Sequence, residues 1–277
     1  MMLRGFYGAA SGMLAQQRNT EMLSENLSNI NTPGFKADQG SNRTFPEMLV
    51  QAQNAGSTPG SRPAPMGELA TGVYMQDRTP NFSQGDLRET GNTTDAAIWQ
   101  GEMPEGEDGE PGSLFFTVSN ADGEERYTRN GNWTVDGEGF LTTSQGHYVL
   151  GEDGDPLEVG NENFNINENG VVTDEDGAEA GQLGVAYAEN ANDMVKEGSG
   201  LLRLEAEDGA EELPTAIGAD GVGYTISQGS LERSNVDPGQ TMTELMNSYR
   251  IFESNQRMLR TYDQSMQRAA NEIGSLR

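Results

Sequence analysis

Apolar and small residues near the start of the chain fall at Leu3, Phe6, Ala10, Met13, Thr20, Leu23, Leu27 and Ile30. Steps of three, four and seven put them along one side of a helix, with Gln17 as a polar member of the series. The pattern stops at Asn31-Thr32-Pro33-Gly34, where proline disfavours helix in the residue before it and glycine permits a reversal. A second helical pattern occupies the end of the chain. Leu245, Phe252, Leu259, Met266 and Ile273 recur every seven residues, and Met242, Tyr249, Gln256, Asp263 and Ala270 form a companion series. Together they make a 3-4 heptad repeat that starts near Pro238, with Thr241 and Glu244 spaced as a capping pair. A heptad also suits an ordinary amphipathic helix on its own domain. With a helix at each end and a non-helical middle, the pattern favours pairing of the termini with each other or with neighbouring copies.

The middle alternates on a shorter period. β-type runs stand at Leu114–Val118, Tyr127–Thr128, Asn132–Val135, Phe140–Thr143, Tyr148–Leu150, Phe164–Ile166, Gly170–Thr173 and Leu183–Tyr187. Asp-Gly dipeptides at Asp108, Asp122, Asp136, Asp153, Asp176, Asp208 and Asp220, and Asn-Gly at Asn130 and Asn169, punctuate them. Such dipeptides favour the positive-φ positions of hairpin turns. Residues 51–67, rich in Gly and Pro, read as irregular and extended. The expected fold is mixed and mainly β: an antiparallel, hairpin-rich β domain with N- and C-terminal α-helices pairing as a coiled-coil-like terminal domain. The expected division is an N-terminal helix over 1–35, an extended connector over 36–84, an acidic β domain over 85–225, and a linker with the heptad helix over 226–277.

Charge sharpens that division. The net charge of -27 comes entirely from residues 85–225, with 32 acids against five bases; residues 1–84 and 226–277 are each balanced at six and six. So acidic a surface argues against nucleic acid and anionic membranes as partners. Near-neutral ends suit close packing of like copies, and an acidic middle suits a solvated outer position. Only Lys36 and Lys196 are lysines, a bias expected of a protein in saline or alkaline surroundings. Absent cysteine removes disulfides and thiolate metal sites. No stretch approaches the ~18 apolar residues of a membrane-spanning helix, and the start of the chain lacks a secretory h-region and cleavage site.

Candidate chemistry is sparse. Nucleotide-binding glycine loops and the G-x-S-x-G elbow are missing, and His147 is the lone histidine. Asn165, Asn167, Asn169, Gly170 and Asp176 mimic calcium-loop spacing, but the β flanks favour a hairpin. The acid cluster Glu102, Glu105, Glu107, Asp108 and Glu110, set among glycine and proline, reads as a solvated loop. No catalytic, cofactor or metal residue is assigned, and the expectation is a protein that is not an enzyme.

Two motifs carry a resemblance. The run Asn26-Leu27-Ser28-Asn29-Ile30-Asn31-Thr32-Pro33-Gly34-Phe35-Lys36 resembles the N-terminal signature of bacterial flagellar rod and hook proteins. The run Gln228-Gly229-Ser230-Leu231-Glu232-Arg233-Ser234-Asn235-Val236-Asp237, followed by the heptad helix, resembles their C-terminal signature. Gln84-Gly85-Asp86-Leu87, Asp95-Ala96-Ala97-Ile98, Phe115-Phe116 and Tyr127-Thr128-Arg129-Asn130-Gly131 are similar to the family's β domain, so the resemblance spans nearly the whole chain. Length and the stretch Phe45–Gln51 resemble the distal-rod branch, and the opening Met2-Leu3-Arg4-Gly5-Phe6-Tyr7 is similar to Bacillus-type rod paralogues. Residues 101–113 look like an acidic insertion.

The resemblance implies a structural subunit, exported by the flagellar type III apparatus without a cleaved signal peptide. It implies helical polymerisation into the drive shaft of the basal body. Its implied partners are further copies of itself, other rod subunits, the hook protein and the export apparatus, with no small-molecule substrate. The alternatives are a proximal rod paralogue or, in a different class, a secreted acidic cell-wall binder. The residues expected to matter are Leu3, Phe6, Ala10, Met13, Leu23, Leu27 and Ile30 in the first helix. In the first motif they are Asn26, Asn29, Thr32, Gly34, Phe35 and Lys36. Leu245, Tyr249, Phe252, Leu259, Met266 and Ile273 stand in the last helix, and Gln228, Gly229, Leu231, Ser234, Asn235 and Val236 in the second motif.

Overall fold

A computed structural model describes residues 2–44, 48–51, 65–69, 72–104, 106, 109, 111–120, 122–198, 200–205, 212–219 and 221–274. Phe45, Pro46, Glu47, most of the irregular stretch 51–67, and Glu105, Glu107, Asp108, Glu110, Asp208 and Asp220 lie outside the described residues, as do the side chains of Leu3 and Ile273. The chain forms two units: residues 1–28, 38–79 and 237–277, and residues 29–37 with 80–236.

The first unit holds both long helices, α1 (Met2–Ser28) and α2 (Pro238–Gly274). Residues 36–84, expected as a connector, supply strands to it: β1 (Asp38–Thr44), β2 (Met48–Gln51), β3 (Pro65–Leu69) and β4 (Val73–Pro80). β1 pairs with β4, and β2 with β3. The small core is Met22, Leu23 and Met75, with Leu245 packed against it. α2 starts at Pro238, where a missing N–H costs nothing. Its cap differs from the expected Thr241–Glu244 box: Asp237 Oδ1 accepts from Gly239 N (2.7 Å) and Gln240 N (3.0 Å). Thr241 is instead buried on the inner face of the helix. A carboxylate at this end also meets the positive pole of the helix dipole.

The second unit is an antiparallel β domain. Its strands are β5 (Leu87–Glu89), β6 (Ala96–Gln100), β7 (Ser113–Ser119), β8 (Glu125–Thr128), β9 (Trp133–Val135), β10 (Leu141–Thr143), β11 (Tyr148–Val149), β12 (Asn165–Ile166), β13 (Val171–Thr173), β14 (Glu179–Gln182), β15 (Val185–Ala188), β16 (Met194–Gly198), β17 (Leu201–Leu204), β18 (Tyr224–Gln228) and β19 (Ser230–Glu232). The main sheet runs β16-β17-β8-β7-β11-β10-β9, with β15 also on β7; β12-β13-β14, β18-β6 and β19-β5 form small ribbons. β7 is buried on both faces. Leu114, Phe116 and Val118 enter the main core with Trp133, Leu141, Phe164 and Leu183, while Phe115 joins Tyr127, Ala186, Ala188, Met194 and Leu202. A strand buried on both sides reads as a continuous apolar run, which is why Leu114–Val118 is so plain in the sequence.

One turn is used six times. At Asn120, Asp136, Thr143, Gly151, Asn167 and Asp174, the first residue's N–H donates to the carbonyl of the fifth, and the N–H of a glycine in fourth place donates back to the first carbonyl. Those glycines (Gly123, Gly139, Gly146, Gly154, Gly170, Gly177) all have φ between 80° and 93°. Five of the six first residues also accept the fifth N–H on their side chain. These Asx-type bonds nucleate the hairpins. The expected dipeptides hold at most positions: among the described residues Gly109, Gly123, Gly154, Gly177 and Gly221, after Asp, and Gly170, after Asn, take positive φ, while Gly137 and Gly131 do not. What the dipeptide leaves out is the Asx or Thr at the first position of the turn. The calcium-like spacing is one such turn, with Asn167 at its head, and His147 closes another through its main chain. Among the described residues, no group of three or more His, Cys, Asp or Glu side chains is placed to hold a metal.

Candidate assembly site

In the first unit the two helices lie against each other through a polar and glycine-lined seam. Asn19 Nδ2 donates to Ser248 Oγ (2.9 Å). A Cβ built on Gly12 would meet Asn255 Nδ2 at 3.0 Å, and one on Gly5 would run into the Tyr262 hydroxyl. Gly5, Gly12 and Asn19 step forward by seven while Tyr262, Asn255 and Ser248 step back by seven, so the helices are antiparallel in fixed register. Glycine lets the backbones approach closely, and the side-chain amides and hydroxyls bond across the gap.

This seam is turned from the stripe that hydrophobicity suggested. In α1 the buried residues are Ala9, Ala15, Met22, Leu23 and Asn26; Phe6, Ala10, Met13, Leu27 and, just past the helix, Ile30 are half-buried, and Gln17 is exposed. In α2, Leu245, Phe252, Leu259 and Met266 are half-buried, and the companion series on the inner side is Thr241, Ser248, Asn255, Tyr262 and Ala269. The expected companions Met242 and Tyr249 instead point out, at 48% and 57% exposure, with Met246 exposed beside them and Ile251 and Met258 exposed on the other flank of the buried face. Tyr7 and Leu14 are exposed on α1.

Asn26 belongs to this unit. Its Nδ2 donates to the Asp38 carbonyl (2.8 Å) and its Oδ1 accepts from Asp38 N (2.9 Å), so the side chain pairs with Asp38 as a strand neighbour would.

The rest of both motifs meets in the second unit. After α1, Thr32 N donates to the Asn29 carbonyl (3.1 Å) and Thr32 Oγ1 to Asn29 Oδ1 (3.1 Å). Gly34 follows at φ 68°, with its N–H on the Glu232 carbonyl (2.8 Å) and its α-carbon packed on the Arg129 main chain, where no side chain fits. Asn235 Oδ1 accepts from Ala37 N (2.7 Å), and its Nδ2 donates to the Asn81 (2.8 Å) and Ser83 (3.1 Å) carbonyls. Gln228 Nε2 reaches the Thr93 and Phe164 carbonyls, while its Oε1 accepts from Ile166 N. Gly229, at φ 72°, accepts from Thr90 N and Gly91 N. Leu231 and Val236 are buried, and Ser234 Oγ accepts from Val236 N.

At the centre is a buried ion cluster. Glu232, with its side chain 1% exposed, accepts from Lys36 Nζ (2.6 Å) on one oxygen and from Arg129 Nε (2.5 Å) on the other. Gly85 N adds a bond to the first oxygen (2.8 Å). Lys36 Nζ also donates to the Ser83 carbonyl (2.9 Å), and Arg129 to the Leu114 and Ile98 carbonyls. Burial pushes the Glu232 carboxyl up, but Arg129 and then Lys36 outweigh it and hold it below the usual carboxylate value. Burial lowers Lys36 to about 8, against the pull of Glu232 and with the repulsion of Arg129. Glu232 and Arg129 were quoted in the motifs but not singled out. With Leu231 the single apolar residue of Ser230-Leu231-Glu232, no local pattern marks Glu232 as buried.

Comparison with known proteins follows the same geography. The model described as "Flagella basal body rod protein" matches residues 6–36, that of the "Flagellar hook protein FlgE/F/G D1 domain" matches 111–174, and "Flagellar basal body rod FlgEFG protein C-terminal" matches 227–272. The chain is 44% identical over 276 residues to the flagellar hook-basal body complex protein FlhO of Bacillus subtilis, covering 99% of this chain and 100% of that one. It is 32% identical to the flagellar basal-body rod protein FlgG of Borreliella burgdorferi (98% of each chain). It is 31% identical to FlgG of Bacillus subtilis (98% of this chain, 99% of that one).

Proposed function

The chain belongs to the family of flagellar basal-body rod and hook proteins, and from that premise we propose how it builds a rod. It is a structural subunit of the flagellar basal body rather than an enzyme. Copies stack helically, with the α1–α2 pair acting as a coiled-coil-like core near the axis and the acidic β domain outside. The subunits pass through the type III export apparatus, and the neighbours along the shaft are other rod subunits and the hook protein.

The apolar residues exposed on both flanks of α2 carry this reading. Met242, Met246, Tyr249, Ile251 and Met258 stay open to solvent in the single chain although the inner face is already occupied by α1. Apolar residues left open on either side of an occupied helix face are buried by further copies packed against both sides. Contacts of this kind are heterologous and do not close, as a filament requires. Balanced charge at both ends permits that packing, whereas the charge of the middle would oppose it near an axis.

Identity to FlhO (44%) exceeds identity to FlgG (31%) of the same bacterium. The chain is thus nearer FlhO than FlgG in sequence; independently of that, we keep a distal-rod-like place as our reading, with a proximal place as the second. Tyr249→Asp and Met258→Asp test one flank each, since both residues are exposed in the single chain. Each is expected to leave the monomer's helix content unchanged, by circular dichroism, and to stop rod completion in cells carrying it as the only copy. Normal rods in both variants would sink the flank assignment.

A further inference from the structure

Lysine occurs twice in this chain, at 36 and 196, and fifteen arginines carry the rest of the basic charge. Both lysines stand at one corner of the second unit. Lys196 Nζ donates to the Lys36 carbonyl (2.7 Å) and sits 4.3 Å from the centre of the Phe35 ring. Lys36 extends inward to Glu232 and the Ser83 carbonyl. The charged groups against its ammonium are Glu232 from β19 and Arg129 just after β8, with Lys196 from β16 on its own main chain. Its other neighbours, the Ser83 carbonyl and the Gly85 N–H that shares the carboxylate oxygen, are neutral.

Two cations on one carboxylate leave a net positive charge where water is excluded, which is costly. A guanidinium does not release its proton at any accessible pH. The cluster therefore reaches neutrality through Lys36. A neutral amine keeps two N–H donors, enough for both Glu232 and the Ser83 carbonyl.

We propose that this corner is a clasp that tightens in alkaline surroundings: the segment after α1 and the segment before α2 are held together more firmly once Lys36 gives up its proton. Burial brings that proton loss down to about 8, from 10.5. Between those values the unfolded chain binds the proton and the folded chain does not, so stability rises with pH across that window. The proposal concerns folding within one chain and stands apart from the assembly reading.

The two-lysine composition makes the test direct. Lysine labelled with carbon-13 at Cε gives two side-chain signals in the full-length protein, and Lys196→Arg assigns them. Lys36 is expected to titrate near pH 8; titration at or above the free-lysine value overturns the proposal. Both tryptophans, Trp99 and Trp133, lie in the second unit, so their fluorescence follows its unfolding in urea. Between pH 7 and 9.5 the folded-to-unfolded ratio is expected to rise roughly 25-fold, and Lys36→Met is expected to lack that rise. An equal rise in Lys36→Met overturns the proposal, and should that variant fail to fold, the wild-type carbon titration decides.

Discussion

Glu232 is the residue on which both motifs converge. Replacing it with Gln keeps its shape but leaves Lys36 and Arg129 buried without an anion. The expected loss is roughly 3–5 kcal/mol, read as a lower urea midpoint of the tryptophan signal. Because the folded-state pKa of Glu232 is depressed, its contribution is complete above the unfolded carboxylate value. It is lost as pH falls through the folded one, so the variant and wild type should converge in stability in acid. Gly34→Ala faces a left-handed backbone and the Arg129 main chain together, and should lose at least ~2 kcal/mol by the same measurement. The sequence named Lys36 and Gly34 as motif residues, yet it held no sign that they meet Glu232 and Arg129. That meeting joins positions 36, 129 and 232, and local patterns do not encode such distant pairs.

The elements were legible where their signal was apolar and local. Leu245, Phe252, Leu259 and Met266 stood out because leucine and phenylalanine repeat, and β7 because both of its faces are buried. The inner partners of those helices were missed for a physical reason. Gly5, Gly12, Asn19, Ser248 and Asn255 are small or polar, so a hydrophobic periodicity passes over them and selects the exposed Met242 and Tyr249 in their place. The turns were half read: glycine was recognised, but the acceptor three residues ahead of it was not. Asn167→Ala removes the side-chain bonds to Asn169 N and Val171 N. It should cost about 1–2 kcal/mol, whereas Asn167→Asp should be nearly neutral. The acidic insertion is anchored at its base. Gly101 N donates to the Gly223 carbonyl, Gly223 N to the Glu102 carbonyl and Gly112 N to the Pro104 carbonyl, while Met103 packs on the main core. Deletion of 105–110 with a short Gly-Ser bridge should leave the unfolding free energy from urea melts within about 0.5 kcal/mol of wild type, as for surface changes generally. Deletion extended to 102–112 should not.

At the scale of the molecule, net charge is confined to the middle of the chain, and the ends proposed to meet other copies are balanced. The excess of acids in residues 85–225 repels itself at low ionic strength, and salt screens it over a Debye length of about 10 Å at 0.1 M. The urea midpoint of the tryptophan signal should therefore rise on going from low to high salt, and a flat response would argue that the charge is already neutralised by its own pairs. The same separation supports an outer β domain on a shaft of neutral helices. The most direct test of the rod account is mass spectrometry of basal bodies purified from the source bacterium. The account expects this chain among their components, in multiple copies relative to the hook protein. Its absence from intact basal bodies, with the protein recovered from the wall or the medium, would contradict it.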